Sequence, residues 1–98
     1  MTLVWRPTAL TDLEEIWAYS EQQFGVEKAA AYLDGIRAKA VALAEGDLGG
    51  TAQNDVGASL RRQLFGSHAI WFRAEGEVLR VIRVLHQSRD VGRWVMDA

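Results

Sequence analysis

The chain of 98 residues contains no cysteine, one proline and two histidines. Without cysteine there are no disulfides or thiolate metal sites, and two isolated histidines do not form a zinc motif. We therefore expect no metal and no cofactor. No apolar run approaches the roughly 20 residues that span a bilayer, and the first ten residues lack the basic and apolar regions of a secretory signal. These absences predict a cytoplasmic protein that contacts no membrane.

Composition and length predict one globular domain over residues 1–98. Hydrophobic residues make up 49% of the chain and charged residues 24%, which is typical of a folded protein, and this length supports one core. Residues 51–98 contain seven arginines and no lysine. The planar guanidinium suits recognition of carboxylates or phosphates. The alternative is that these arginines are solvated strand residues whose stems pack on the sheet.

The first half of the chain predicts a short strand and two helices. The strand covers Leu3 to Trp5 and is cut off at Pro7. The first helix begins with Thr8 as N-cap, or one turn later with Thr11 and Glu14 as a capping box. It ends at Phe24-Gly25, and a second helix runs from Val26 to near Gly46, forming an antiparallel hairpin. The apolar positions of the two helices recur at helical spacing and are Leu10, Leu13, Ile16, Trp17, Phe24, Ala29, Tyr32, Leu33, Ile36, Ala40 and Leu43.

The second half predicts a loop over 46–59 and then three strands over 60–65, 68–74 and 77–85. Two-residue turns at 66–67 and 75–76 would connect them as a meander, and the last strand should be central because both of its faces are apolar. Strict alternation places Arg80 and Arg83 on opposite faces of that strand. It also separates two apolar sets, Leu79, Val81 and Leu85 on one face and Val78, Ile82 and Val84 on the other.

These elements define an α+β fold of order β-α-α-β-β-β, with the helical hairpin on one face of a small, mainly antiparallel sheet. After the last strand, the segment "SRDVGRWVMDA" predicts a short helical tail capped by Ser88. Arg89 and Arg93 would share one side of this helix, and Trp94 on the other side would anchor it to the domain.

Few chemical motifs are present. The chain has no glycine-rich phosphate loop with its lysine and no nucleophile elbow. A ribonuclease of the general acid-base type would need an acid and a base beside phosphate-binding arginines. Its candidates here are Arg61, Arg73, Arg83 and His86, although a histidine at a strand end more often satisfies a backbone group. The residues alone therefore indicate a small α+β domain with an arginine-rich sheet.

Several segments resemble a known family. The runs "DLEEIWAYSEQQFG", "AAAYLDGI", "LRR" and "GSHAIWFRAEGEVLRVIRVLHQSRDV" are similar to the ParE branch of the RelE/ParE toxins, from about Leu3 to Val91. The most specific parts are Gly66 to Arg73 and Arg83 to Ser88. The resemblance implies a non-enzymatic toxin that binds DNA gyrase, stabilises its cleaved-DNA state and meets DNA only through gyrase. It also implies a ParD-type antitoxin that neutralises the toxin in a hetero-oligomer.

On this resemblance, Arg89 and Arg93 are the expected gyrase contacts. Arg73, Arg83, Trp17 and Leu33 are the expected antitoxin contacts. The sister RelE branch, which cuts messenger RNA on the ribosome, is the alternative and would use Arg61, Arg73, Arg83 and His86. That branch uses lysines and arginines of the sheet, often with a late glutamate, histidine or tyrosine, and neither lysine nor tyrosine occurs after residue 65. A non-toxic adaptor module is a third possibility.

Overall fold

The computed structural model describes residues 1–46, 51–52 and 60–89. Within them the chain forms an α+β fold, as predicted, with one strand more than the sequence indicated. Residues 51–52 form a strand inside the predicted loop, where two residues are too few to show a periodicity. The predicted tail helix lies outside the described residues from residue 90 onward. The elements are β1 Thr2–Trp5, α1 Pro7–Phe24, α2 Val26–Ala44, β2 Thr51–Ala52, β3 Leu60–Phe65, β4 His68–Glu75 and β5 Val78–His86.

Helix α1 begins earlier than either predicted cap. Pro7 occupies its first position, and the extended Arg6 is the N-cap, with φ −68° and ψ 151° and no side-chain capping bond. Proline suits this position because its missing N–H would have no helical partner there. The hydroxyls of Thr8 and Thr11 donate instead to the carbonyls of Ile82 and Pro7, both at 3.2 Å. The prediction of a threonine N-cap was therefore wrong.

The two helices reverse direction at Gly25, whose φ of 90° is strained for any residue with a side chain. Helix α2 ends close to Gly46, as predicted. Two residues assigned to the buried face are exposed, Leu10 at 48% and Phe24 at 62%. Helical spacing identifies which side of a helix is apolar, but it does not show how far the packing partner extends along that side.

The sheet has the strand order β1-β5-β4-β3-β2 within the described residues. Strand β1 is parallel to β5, and the other pairs are antiparallel, so the central position of the last long strand is confirmed. Gly66 and Gly76 open the two hairpin turns with φ of 56° and 59°, which two-residue turns require. The second turn is Gly76-Glu77, one residue later than predicted.

A β-bulge interrupts strand β5. Trp71 lies opposite Arg83, but the next residue, Phe72, lies opposite Val81. Ile82 is therefore the extra residue, and two residues of β5 oppose Trp71.

Because of the bulge, the predicted assignment of β5 side chains to the two faces of the sheet was wrong. Val84 joins the core under the helices, whereas Leu85 joins Ile82 on the other face. Because cross-strand partners share a face, Arg80 (opposite Arg73) and Arg83 (opposite Trp71) lie on the same face and not on opposite ones. The alternation failed because a single extra residue exchanges the faces of the residues beyond it.

The buried side chains form two groups, one on each face of the sheet. Each fully buried aliphatic or aromatic side chain contributes about 1.5 to 3 kcal/mol. The larger group lies between the helices and the sheet and includes Leu13, Ile16, Leu33, Ile36, Leu43, Ile70, Phe72, Leu79, Val81 and Val84. The smaller group lies on the opposite face and consists of Leu60, Ala69, Trp71, Ile82 and Leu85.

Candidate functional site

Strand β5 continues beyond the end of β1, and the start of α1 takes the place of the missing strand. A backbone amide and two side chains bind the polar groups along this part of the β5 edge. The chain thus closes the edge with side chains, so that these backbone groups keep hydrogen-bond partners. The three contacts are Arg6 N–H to Val81 O at 3.0 Å, Thr8 Oγ1 to Ile82 O at 3.2 Å and Val84 N–H to Asp12 Oδ2 at 2.9 Å.

Arg83 and Asp12 form a two-point ion pair at this junction. The Arg83 Nε atom donates to Oδ2 and Nη2 donates to Oδ1, each at 2.7 Å. The side chains are only 14% and 6% exposed. The hydrogen bonds that Arg83 donates to Asp12 raise the pKa of Arg83, so the guanidinium is charged at every physiological pH. Arg83 is therefore anchored to α1, and its contact with any partner is limited to a small exposed part.

A polar cluster connects α2 to the β3–β4 turn. The Tyr32 hydroxyl lies 2.6 Å from His68 Nδ1 and donates to or accepts from that atom according to the imidazole tautomer. The same hydroxyl accepts from the Ser67 N–H at 3.2 Å and lies 3.2 Å from the carbonyl of Phe65, to which it can donate. The sequence indicated Tyr32 only as an apolar core position, because helical spacing carries no information about a hydroxyl at the ring's end.

The two histidines are cross-strand partners. Their ring centroids are 5.6 Å apart in an edge-to-face arrangement. Burial lowers the pKa of His68, and the nearby His86 lowers it further, so His68 is neutral at pH 7. His86 Nδ1 accepts the Ser88 N–H at 3.1 Å. Both histidines thus satisfy local groups at the end of the sheet.

Two grooves flank helix α1. The first, which we call the histidine groove, encloses about 400 Å³ between α1 and the end of β5. The second, the hairpin groove, encloses about 360 Å³ along the two helices. The histidine groove is lined by Asp12, Glu15, Ile16, Tyr19, Phe24, Ser67, His68, Val84, Leu85, His86 and Arg89. The hairpin groove is lined by Leu10, Leu13, Glu14, Trp17, Leu33 and Arg37.

The structure brings together two of the predicted antitoxin contacts. Trp17, half-buried, and Leu33, 1% exposed, line the hairpin groove. Of the other two, Arg73 lies by register on the sheet face opposite the helices, and the guanidinium of Arg83 is held by Asp12 of α1. Of the predicted gyrase contacts, Arg89 is exposed beside the histidine groove, and Arg93 lies outside the described residues.

The residues of the ribonuclease alternative do not form one site. Arg61 lies opposite Phe72, and His86 opposite His68, so both are on the helix side of the sheet. Arg73 is on the other side, and the guanidinium of Arg83 is held at α1 by Asp12. Among residues 1–46, 51–52 and 60–89, no three histidine or acidic side chains are grouped to hold a metal ion. No helix in that part of the chain is long and apolar enough to cross a membrane.

Comparisons with known proteins agree with this architecture. Residues 3–91 match the family described as "ParE toxin of type II toxin-antitoxin system, parDE". The chain is 42% identical over 82 residues to "Toxin ParE1" of Caulobacter vibrioides, covering 84% of each chain. It is 35% identical over 88 residues to "Toxin ParE1" of Mycobacterium tuberculosis, covering 89% of this chain and 90% of that one. A solved structure titled "Chromosomal ParDE TA system from P. aeruginosa" has a TM-score of 0.76 over 88% of this chain and 95% of that chain, at 22% identity, which shows the fold.

The family match and the two relatives at 42% and 35% identity place the chain in the RelE/ParE superfamily of toxins, and its helical hairpin on one face of a mixed sheet agrees with the fold of the solved structure. Within that class, the chain belongs to the ParE toxin family of type II toxin-antitoxin systems. The resemblance noted in the sequence is thereby confirmed.

Proposed function

We propose that this ParE toxin poisons DNA gyrase by stabilising its cleaved-DNA state, and that a ParD-type antitoxin neutralises it. The match of residues 3–91 to the ParE family carries the proposal, because that match is to the ParE branch and not to the RelE branch. Acting on gyrase, the toxin works in the cytoplasm and holds its target without consuming it. It is therefore not an enzyme, and it meets DNA through gyrase.

The distribution of the basic residues supports this choice over an mRNA endonuclease. A nuclease that relies on general acid-base catalysis needs its acid, base and phosphate-binding groups within hydrogen-bond reach of one substrate. Here Arg61 and His86 lie by register on the helix side of the sheet, whereas Arg73 lies on the opposite face. Arg83 also directs two of its donors to Asp12.

The proposal is tested by giving purified toxin to gyrase and, separately, to ribosomes translating a defined message. We expect supercoiling to be inhibited near stoichiometric ratios, with linear DNA accumulating after denaturation of the complex, and the message to remain intact. Cuts in ribosome-bound message together with normal supercoiling would assign the toxin to the endonuclease branch. If supercoiling proceeds normally and the message also stays intact, the chain is a non-toxic adaptor module.

The antitoxin is proposed to bind as an acidic, amphipathic segment that folds on the toxin. Its aliphatic side chains would enter the hairpin groove beside Trp17, and its carboxylates would bind Arg73 on the opposite face of the sheet. The segment must then pass around the domain to reach both places, which is how a disordered chain covers a large surface.

Two variants test this arrangement in a toxin-antitoxin binding assay. Trp17→Ala removes apolar contact, so it should weaken binding without changing its dependence on salt. Arg73→Glu should weaken binding and also make it less salt-dependent, because an attractive charge pair is lost. If Arg73→Glu leaves both affinity and salt dependence unchanged, Arg73 lies outside the interface.

A further inference from the structure

Among the strands of residues 1–46, 51–52 and 60–89, none pairs with the outer edge of β1. This strand lies at one end of the strand order and pairs only with β5. The N–H groups of Thr2 and Arg6 donate to the carbonyls of Glu77 and Val81, at 2.6 and 3.0 Å. Polar groups alternate along a strand, so the N–H and C=O groups of Leu3 and Trp5 point away from the sheet. Within the described part of the chain, these outward groups have no hydrogen-bond partner.

In the described part of the chain, nothing covers the outer edge of β1, whereas the adjoining edge of β5 is covered. Beyond β1, the exposed edge of β5 is occupied by the side chains of Thr8 and Asp12. Along β1 there is no charged residue and no proline between Thr2 and Trp5. Charged residues, proline and covering elements are the usual means by which proteins prevent edge pairing. The four residues of β1 instead include valine and tryptophan, which favour strands.

The geometry points to a second copy of this chain as the partner of β1. An antiparallel pair of β1 strands centred on Val4 is self-complementary. It places Leu3 of each copy opposite Trp5 of the other, and these are the residues whose backbone groups point outward. Each such pair exchanges two backbone hydrogen bonds, so the symmetric contact would form four. The resulting C2 interface uses the same patch on both molecules.

The side chains fit the same register. Leu3 and Trp5 are half-buried on the helix side of the sheet, so each copy's leucine would pack on the other copy's indole ring. Val4 lies on the other side, opposite Arg80, and would meet the second Val4. Aromatic-aliphatic and β-branched cross-strand pairs of this kind stabilise antiparallel sheets.

A contact of four residues per copy is small, and it belongs with the weak, transient interfaces. We therefore expect a reversible dimer that forms in the range of about 0.1 to 1 mM protein. This association goes beyond the proposed poisoning of gyrase and does not depend on it. Its test consequently uses the free toxin and needs no gyrase.

Amide hydrogen exchange measured by NMR at low and high protein concentration tests the pairing residue by residue. The Thr2 and Val4 amides point to β5 and should be equally protected at about 10 µM and about 1 mM. The Leu3 and Trp5 amides should exchange rapidly at the lower concentration and about two- to fourfold more slowly at the higher one, as the fraction of free monomer falls. Equal exchange of these two amides at both concentrations would overturn the proposal. Protection that appears only when antitoxin is added would assign the edge to the antitoxin and also overturn it.

Sedimentation of two matched variants provides the second measurement. Leu3→Pro removes an outward N–H but no hydrogen bond to β5, and Leu3→Ala removes similar packing while keeping that N–H. Leu3→Pro should raise the dimer dissociation constant at least about tenfold relative to Leu3→Ala. Dimers of equal strength in both variants would show that the contact lies elsewhere. If Leu3→Pro fails to fold, the exchange experiment on the unmodified chain still decides the matter.

Discussion

Asp12 and Arg83 lie 71 positions apart in sequence and meet through two hydrogen bonds of 2.7 Å. The same carboxylate accepts the N–H of Val84. One side chain of α1 therefore holds both the guanidinium and the backbone of the central strand, next to the bulge at Ile82.

Replacing Asp12 with alanine should lower the free energy of unfolding by about 3 to 5 kcal/mol, because it leaves a largely buried charge and a backbone N–H without their acceptor. Urea denaturation measures the change. Asp34→Ala is the matched control, since Asp34 forms an exposed pair with Arg37 at 3.8 Å, and such a pair contributes about 0 to 1 kcal/mol. Equal losses in the two variants would contradict a structural role for the Asp12 ion pair.

The lowered pKa of His68 predicts that stability depends on pH. Well above the ordinary value of 6.5, His68 is neutral in both the folded and the unfolded chain and contributes no pH dependence. As the pH falls below that value, the unfolded chain takes up a proton more readily than the folded chain, so the free energy of unfolding decreases. Melting curves between about pH 8 and about pH 5 should show this decrease.

His68→Gln is the corresponding test variant. Glutamine carries no titratable group, so the decrease in stability toward acid pH should be shallower than in the unmodified chain. The remaining slope belongs to the other titrating groups. Parallel stability curves for the two proteins would show that the protonation of His68 is not coupled to folding.

Gly35 is required by a close approach between α2 and the Phe65 ring. A Cβ atom added at Gly35 would overlap that ring. Alanine normally stabilises a helix by about 1 kcal/mol relative to glycine, whereas inserting an atom into a packed site costs about 1 to 3 kcal/mol. We expect Gly35→Ala to destabilise the protein in thermal melting. In a Phe65→Leu background the same substitution should become neutral or stabilising, and a similar loss there would contradict the proposed overlap.

Substitution of Arg89 and Arg93 should reduce toxicity without reducing the stability of the fold. Replacing both with alanine removes the proposed gyrase contacts, and substitution of an exposed residue such as Arg89 changes stability by about 0.5 kcal/mol or less. Growth inhibition in cells should therefore decrease while the melting temperature remains nearly the same. Lys28→Ala with Lys39→Ala removes the same charge from α2 and should leave toxicity intact. A double-arginine variant that still inhibits growth fully would contradict the assignment.

The sequence predicted those elements whose side chains follow a regular period. The helical hairpin and the three long strands appeared with boundaries close to the observed ones, because burial repeats at the spacing of each element. The bulge at Ile82 was not predictable, since an extra residue in a strand leaves the composition of that strand unchanged. Alternation consequently failed for Val84 and Leu85, which lie after it.

The polar contacts were predicted less completely than the fold. Asp12 is an acidic residue early in a helix, where exposure to solvent is usual, and only the tertiary structure brings Arg83 to it. Tyr32 has helical core spacing, and nothing in that spacing indicates a hydrogen bond to His68. Helical spacing did place Trp17 and Leu33 on one face, and the structure joins them in one groove.

The position of β5 between β1 and β4 determines when the domain can fold during its synthesis. Because β1 and the start of α1 both bind residues of the last long strand, neither can reach its native place while the ribosome is still making β3 and β4. Pairing between sequence-distant segments is also the slow part of folding. A chain that stops before β5 therefore lacks the strand that joins β1 to the rest of the sheet, and the native fold can form only after residues 78–86 have been made.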